Sequence, residues 1–157
     1  MAIPVFVLNG PNLNMLGLRE PGIYGGKSLA DIETECSEIS VELGLSMDFR
    51  QTNQEGILVD WIQEAGNSAK GIVINPGAYT HTSVALQDAI RAVGLPTIEV
   101  HISNIFAREP FRHHSYVSPV AAGVICGLGP EGYQLALRAL SSLIATNQTG
   151  SAKESKQ

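Results

Sequence analysis

Short runs rich in valine and isoleucine alternate along this chain with segments of helical period, and that alternation leaves few folds open. It is the order that builds units of strand, crossover helix and parallel strand. The runs Ile3 to Leu8, Leu45 to Gln51, Gly71 to Asn75, Thr97 to Ile102 and Val120 to Cys126 read as strands. Their near-continuous or interrupted apolar character suits strands covered on both faces by helices. A first helix is predicted from Ser28, where Asp31 three residues on makes an acidic variant of the capping box, with Leu29, Ile32, Cys36, Ile39 and Leu43 on one face. Gly44 ends it. Further helices are predicted over about Gln54 to Ala65, Thr82 to Val93 and Glu131 to Ala145, with a short irregular crossover around Arg108 to His114. The polar stretch after the last helix reads as disordered.

Five strands in this order fit an α/β doubly wound sandwich with a five-stranded parallel sheet, and the flavodoxin-like strand order 2-1-3-4-5 is the leading choice. The expected organisation is one domain over residues 1-146 and a disordered tail over 147-157. In that order ligands bind beyond the carboxyl ends of the strands near the switch point. The segments leaving those ends are NGPNLNMLGLREPGIYGG, NPGAYTHTS and HISNIFAREPFRHH, the richest in Asn, His, Arg and Tyr.

Composition excludes several classes. A formal charge of -5 with only ten Lys and Arg disfavours binding to nucleic acid, which needs a basic surface. No apolar run approaches the roughly 20 residues of a membrane span, and MAIPVFVL has neither a basic leader nor a cleavage site. Cys36 and Cys126 lie far apart in apolar surroundings, match no paired metal spacing and read as reduced core residues, which favours a cytoplasmic protein.

Period two puts Glu99 and His101 of TIEVHIS on one side of a strand, where the carboxylate could orient the ring and leave its other nitrogen as acid or base. A strand-end histidine facing solvent fits the same residues. Arg19 and Tyr24 share a glycine-bounded loop, and a guanidinium beside the phenol would favour the phenolate against the cost of desolvation. A surface tyrosine with a solvated arginine is the plainer alternative. Thr80, His81 and Ser83 stand at the start of the third helix, where hydroxyls and N–H groups suit a hydroxylated or anionic ligand; ordinary capping by Thr80 or Thr82 explains the same residues. Arg108 and Arg112, four apart, could clamp a carboxylate. GLGPEG matches a dinucleotide fingerprint formally, but too little chain follows for the rest of that unit, so its glycines read as a tight strand-to-helix turn. His81, His113 and His114 show no metal-ligand spacing.

Taken together, LNGPNLNMLGLREPGIYG, NPGAYTHTSVALQDA, EVHISN, FRHHSY and the GYQLALRAL helix resemble the type II 3-dehydroquinate dehydratases over about residues 3 to 145. The resemblance implies a cofactor-free, metal-free lyase that dehydrates 3-dehydroquinate to 3-dehydroshikimate through an enolate, in the shikimate pathway or in quinate degradation. Carried over by position, it implies Tyr24 as base, Arg19 favouring its phenolate, Asn12 positioning a water at the enolate oxygen, and His101, oriented by Glu99, as general acid. It implies substrate binding by Asn75, His81, the backbone of Ile102 and Ser103, and Arg112. Asp88 would reach in from a neighbouring subunit of a homo-oligomer, a dodecamer built from trimers. Arg108 has no clear role in the resemblance. The length of the first loop then reads as a lid that carries Arg19 and Tyr24 over bound substrate.

Overall fold

The computed structural model describes residues 1–18 and 26–154, with side chains described as far as residue 148. Arg19 and Tyr24 therefore lie outside the described residues. Five parallel strands, β1 (Ile3–Asn9), β2 (Leu45–Gln51), β3 (Ile72–Asn75), β4 (Thr97–His101) and β5 (Gly123–Cys126), form one sheet in the order β2-β1-β3-β4-β5. Among the described residues four α-helices cover it: α1 (Leu29–Glu42), α2 (Glu55–Ser68), α3 (Val84–Val93) and α4 (Glu131–Glu154). This is the doubly wound order that the sequence predicts.

Each helix starts where local chemistry allows. Ser28 caps α1 in a complete capping box: its Oγ accepts from Asp31 N–H at 3.1 Å, and Asp31 Oδ2 accepts from Ser28 N–H at 3.0 Å. Gly44, at φ 70°, then turns the chain into β2. Alternation along the strands divides the core in two. Val5, Val7, Val73, Ile98 and Val100 pack against Ile32, Cys36 and Ile39 of α1 and Tyr133, Leu137 and Leu140 of α4. Phe6, Leu8, Ile72 and Ile74 pack against Leu58 and Ile62 of α2 and Leu86 and Ile90 of α3. Each fully buried Leu or Ile contributes about 1.5–3 kcal/mol, so both layers are strongly held. Burial also pushes the Cys36 thiol up to about 12, while Cys126 is half-buried at the end of β5.

The structure departs from the sequence reading at several element ends: α2 runs to Ser68 rather than Ala65, and β1, β3 and β4 differ by one residue each. β5 starts at Gly123 rather than Val120, because Pro119 sits in a 3-10 turn over Ser118–Val120 that closes on the Val117 carbonyl. α3 starts at Val84 rather than Thr82: a 3-10 turn occupies Gly77–His81, and Ser83 is the cap, its Oγ accepting from Leu86 N–H at 3.0 Å. α4 runs to Glu154, past the Ala145 expected, and takes in residues 147–154 that the sequence reads as disordered. Its packed part ends near Ile144, and no proline follows to stop propagation. No helix among the described residues is long and apolar enough to cross a membrane.

Candidate active site

The carboxyl ends of β1, β3 and β4 open on a cavity of about 380 Å³, within the range of small-ligand sites. Asn12, Asn75, His81, His101, Ile102, Ser103, Arg108 and Arg112 all line it. Seven of these eight are site residues expected from the sequence; Arg108, a possible carboxylate clamp by spacing but without a role in the resemblance, lines the same wall as Arg112. Asp88 does not line the cavity. It lies exposed on α3, 3.9 Å from Arg91.

Parallel register explains the convergence. Asn9 pairs with Asn75 across β1 and β3, and Ile74 pairs with Glu99 across β3 and β4, so the three strand ends sit side by side. Gly10 is needed at that junction, since a Cβ there would stand 2.4 Å from the Pro76 carbonyl oxygen. Gly10→Ala is expected to part the ends of β1 and β3, costing about 1–3 kcal/mol in a urea melt and weakening substrate binding. A loss below about 0.5 kcal/mol would refute this account of the junction.

Asn12 takes a left-handed conformation, φ 67°, that asparagine tolerates, and its N–H donates to Asn53 Oδ1 at 3.0 Å. Beside it, Gly17 at φ 81° approaches both Ser28 and the Gly26 carbonyl, so the described ends of the first loop meet next to the cavity wall formed by Met15 and Leu16. Asn75 is oriented by a buried relay: its Nδ2 donates to Tyr133 Oη at 2.9 Å, Tyr133 donates to Asn9 Oδ1 at 2.6 Å, and Asn75 Oδ1 accepts from Gly77 N–H at 3.1 Å. Burial pushes the Tyr133 phenol up, so it stays a neutral donor. The sequence gives no sign of this contact, because Tyr133 reaches it from the far end of the chain.

Glu99 is fully buried beside His101, whose Nε2 lies 2.5 Å from Glu99 Oε2. Burial alone would raise the Glu99 carboxyl, but hydrogen bonding and charge from His101, with hydrogen bonds from Ser118 and Thr80, outweigh it and hold the carboxyl below its ordinary value. With Nε2 given to the carboxylate, Nδ1 is the nitrogen left for chemistry. His81 is fixed the other way round: Nδ1 faces the His114 carbonyl at 2.8 Å, an acceptor, so Nδ1 carries hydrogen and the neutral ring offers Nε2 as an acceptor. Arg112 donates from Nε to Glu109 at 2.7 Å and lies over Phe111, leaving its terminal nitrogens for a ligand. Such an arrangement can orient a hydroxylated anion and pass a proton to or from it.

The GLGPEG glycines form the tight turn read from the sequence. Gly127 and Gly129 adopt φ of 85° and 66°, and their N–H groups donate to the carbonyls of His101 and Ile102 at 3.3 and 3.1 Å. They brace the cavity wall. The family model described as dehydroquinase class II matches residues 3–141. This chain belongs to the class II dehydroquinase family. Curated relatives agree: it is 64% identical over 141 residues to 3-dehydroquinate dehydratase 1 of Agrobacterium fabrum, covering 90% of this chain and 97% of that one. It is 67% identical over 143 residues to the 3-dehydroquinate dehydratase of Chelativorans sp., covering 90% and 99%. Among solved structures, the type II dehydroquinase from Propionibacterium acnes superposes with a TM-score of 0.86 at 48% identity, covering 90% of this chain and 98% of that one. The class II dehydroquinase fold and the three loops around the cavity thus come from one sequence pattern.

Proposed function

We propose a residue-level course for the reaction of this family, the dehydration of 3-dehydroquinate to 3-dehydroshikimate in the shikimate pathway, which this chain catalyses as a carbon-oxygen hydro-lyase. Tyr24, as phenolate beside Arg19, takes a proton from the carbon next to the ketone. The electron pair moves onto the ketone oxygen, and a water held by Asn12 stabilises that enolate charge. The pair then re-forms the ketone and the ring double bond as the carbon-oxygen bond breaks on the opposite face. His101 gives its proton to the departing hydroxyl, which leaves as water. The course calls on no cofactor.

His101 on the cavity wall, backed by the buried Glu99, carries this reading, because a buried carboxylate on Nε2 stabilises the charged ring that must donate. Arg112 suits the substrate carboxylate, with Arg108 adding positive potential on the same wall. Asn75, His81 and the backbone of Ile102 and Ser103 suit the ring hydroxyls. Mixing the protein with 3-dehydroquinate and following the ultraviolet absorbance of the conjugated enone tests the activity; a folded sample without turnover would sink it.

Tyr24 and Arg19 would ride on the loop whose described ends meet beside Leu16, which serves as the lid. Asp88, exposed and away from its own cavity, fits a residue that completes the cavity of a neighbouring subunit in a dodecamer of trimers, working in the cytoplasm. The catalytic domain would span residues 1-146. Asp88→Ala is expected to raise KM several-fold with a smaller change in kcat, and an unchanged KM would remove Asp88 from the site.

A further inference from the structure

We infer that Ser115 and Ser118, with Thr80, are positioning residues of this reaction: their hydroxyls hold Glu99 as an anion and thereby fix His101 as an Nε2–H donor with Nδ1 left for the ligand. The inference rests on the reading of His101 as the general acid. The hydrogens can be assigned one by one. Ser115 Oγ accepts from the N–H groups of Val117 and Ser118 at 3.1 and 3.0 Å, so both its lone pairs are taken. Its single O–H must donate, and its acceptors are both Glu99 oxygens and Thr80 Oγ1, each 3.1 Å away; the carboxylate, charged and offering two oxygens, is the stronger acceptor. Thr80 Oγ1 lies 3.1 Å from Ser115 Oγ and 2.9 Å from Glu99 Oε2; Ser115 has no lone pair left, so the Thr80 proton goes to the carboxylate. Ser118 Oγ donates to Glu99 Oε1 at 2.7 Å. A protonated Glu99 would bring a further hydrogen into a shell already committed to donating, whereas the carboxylate, acceptor only, satisfies every member.

The same segment controls the second ring. His114 offers its carbonyl to His81 Nδ1 at 2.8 Å, and the Tyr116 N–H donates to the Thr80 carbonyl at 2.8 Å. Gln87 of α3 anchors the segment by donating to the Tyr116 carbonyl at 2.8 Å. Residues 114–118 thus orient both histidines, whose rings stack with centroids 6.5 Å apart. Among the described residues, the titratable and charged groups around Glu99 are His101 on β4, His81 in the turn after β3, and Arg108 and Arg112 in the crossover lining the same cavity.

Ser118→Ala is the clean test, because the Ser118 hydroxyl serves Glu99 while its backbone N–H serves Ser115. It is expected to lower kcat about tenfold, the scale of one lost hydrogen bond to a charge, with KM little changed. The acidic limb of the kcat profile moves to higher pH, since a carboxylate with one donor fewer protonates sooner. Ser118→Thr, which keeps the donor, restores both. Carbon-13 NMR of the Glu99 carboxyl reads the same change without turnover: its titration midpoint rises in Ser118→Ala and returns in Ser118→Thr. A limb and a midpoint that both stay at their wild-type positions overturn the inference. A midpoint that moves while His101→Ala keeps wild-type turnover supports the hydroxyl cage and removes the acid role of His101 instead.

Discussion

His101→Ala is expected to lower kcat about 10²- to 10⁴-fold while the protein keeps its fold, the range typical for removal of a positioned general acid. The ring is almost fully buried on the cavity wall, and Glu99 Oε2 holds its Nε2, so no neighbouring side chain among the described residues replaces its proton at the same place. His81 is the nearest candidate. Its Nδ1 is tied to the His114 carbonyl, and its ring centroid is 6.5 Å from that of His101, too far to take over one geometry from the other. Alanine also leaves Glu99 with its hydroxyl donors in place, which limits the structural damage. Circular dichroism and a urea melt establish folding, and the enone absorbance gives kcat. Turnover within threefold of wild type would refute the assignment. Tyr24→Phe, measured the same way, is expected to lose a comparable factor, because phenylalanine keeps the ring and removes the only atom that takes the proton. Near-normal turnover there would place the base elsewhere.

Legibility in the sequence followed the range of the interactions. The strand order needed only the alternation of apolar runs and helical periods, and the start of α1 needed only Ser28 and Asp31, three residues apart. The Glu99–His101 pair was visible because strand geometry alone puts alternate residues on one side. What supports that pair was not visible. Thr80 comes from the turn after β3, and Ser115 and Ser118 from the far part of the crossover that follows β4; they stand 16 to 19 residues from Glu99, so no local period marks them. Thr80 read equally well as a helix cap, and the structure gives that task to Ser83. The one available signal was indirect: a carboxylate inside TIEVHIS must be satisfied, and unassigned hydroxyls in HHSYVS were close enough in the fold to do it. Arg108 was named with Arg112 as a possible clamp but not chosen, since spacing cannot say which of two arginines in an irregular crossover faces a cavity, and both do.

Glu99→Gln should produce a large loss of stability, about 3–5 kcal/mol near neutral pH, because more than one buried donor loses its acceptor at about 1–3 kcal/mol each. Glutamine matches the shape, but its NH₂ group presents hydrogens to a shell in which His101, Thr80, Ser115 and Ser118 already donate. The pH dependence distinguishes this cause from simple mispacking. The folded-state value of Glu99 lies below its ordinary 4.5, so the unfolded chain binds the proton more readily than the folded one. The carboxylate's contribution is therefore complete above the ordinary value and is lost as pH falls through the lower folded value. The part of the stability gap that Glu99 contributes as an anion should be complete above its ordinary value and close as pH falls through the lower folded value, as the wild type loses what the variant never had. Urea melts across that range measure the gap directly. A gap that stays constant into acid would mean that Glu99 contributes shape rather than charge, and the anionic cage around His101 would have to be abandoned.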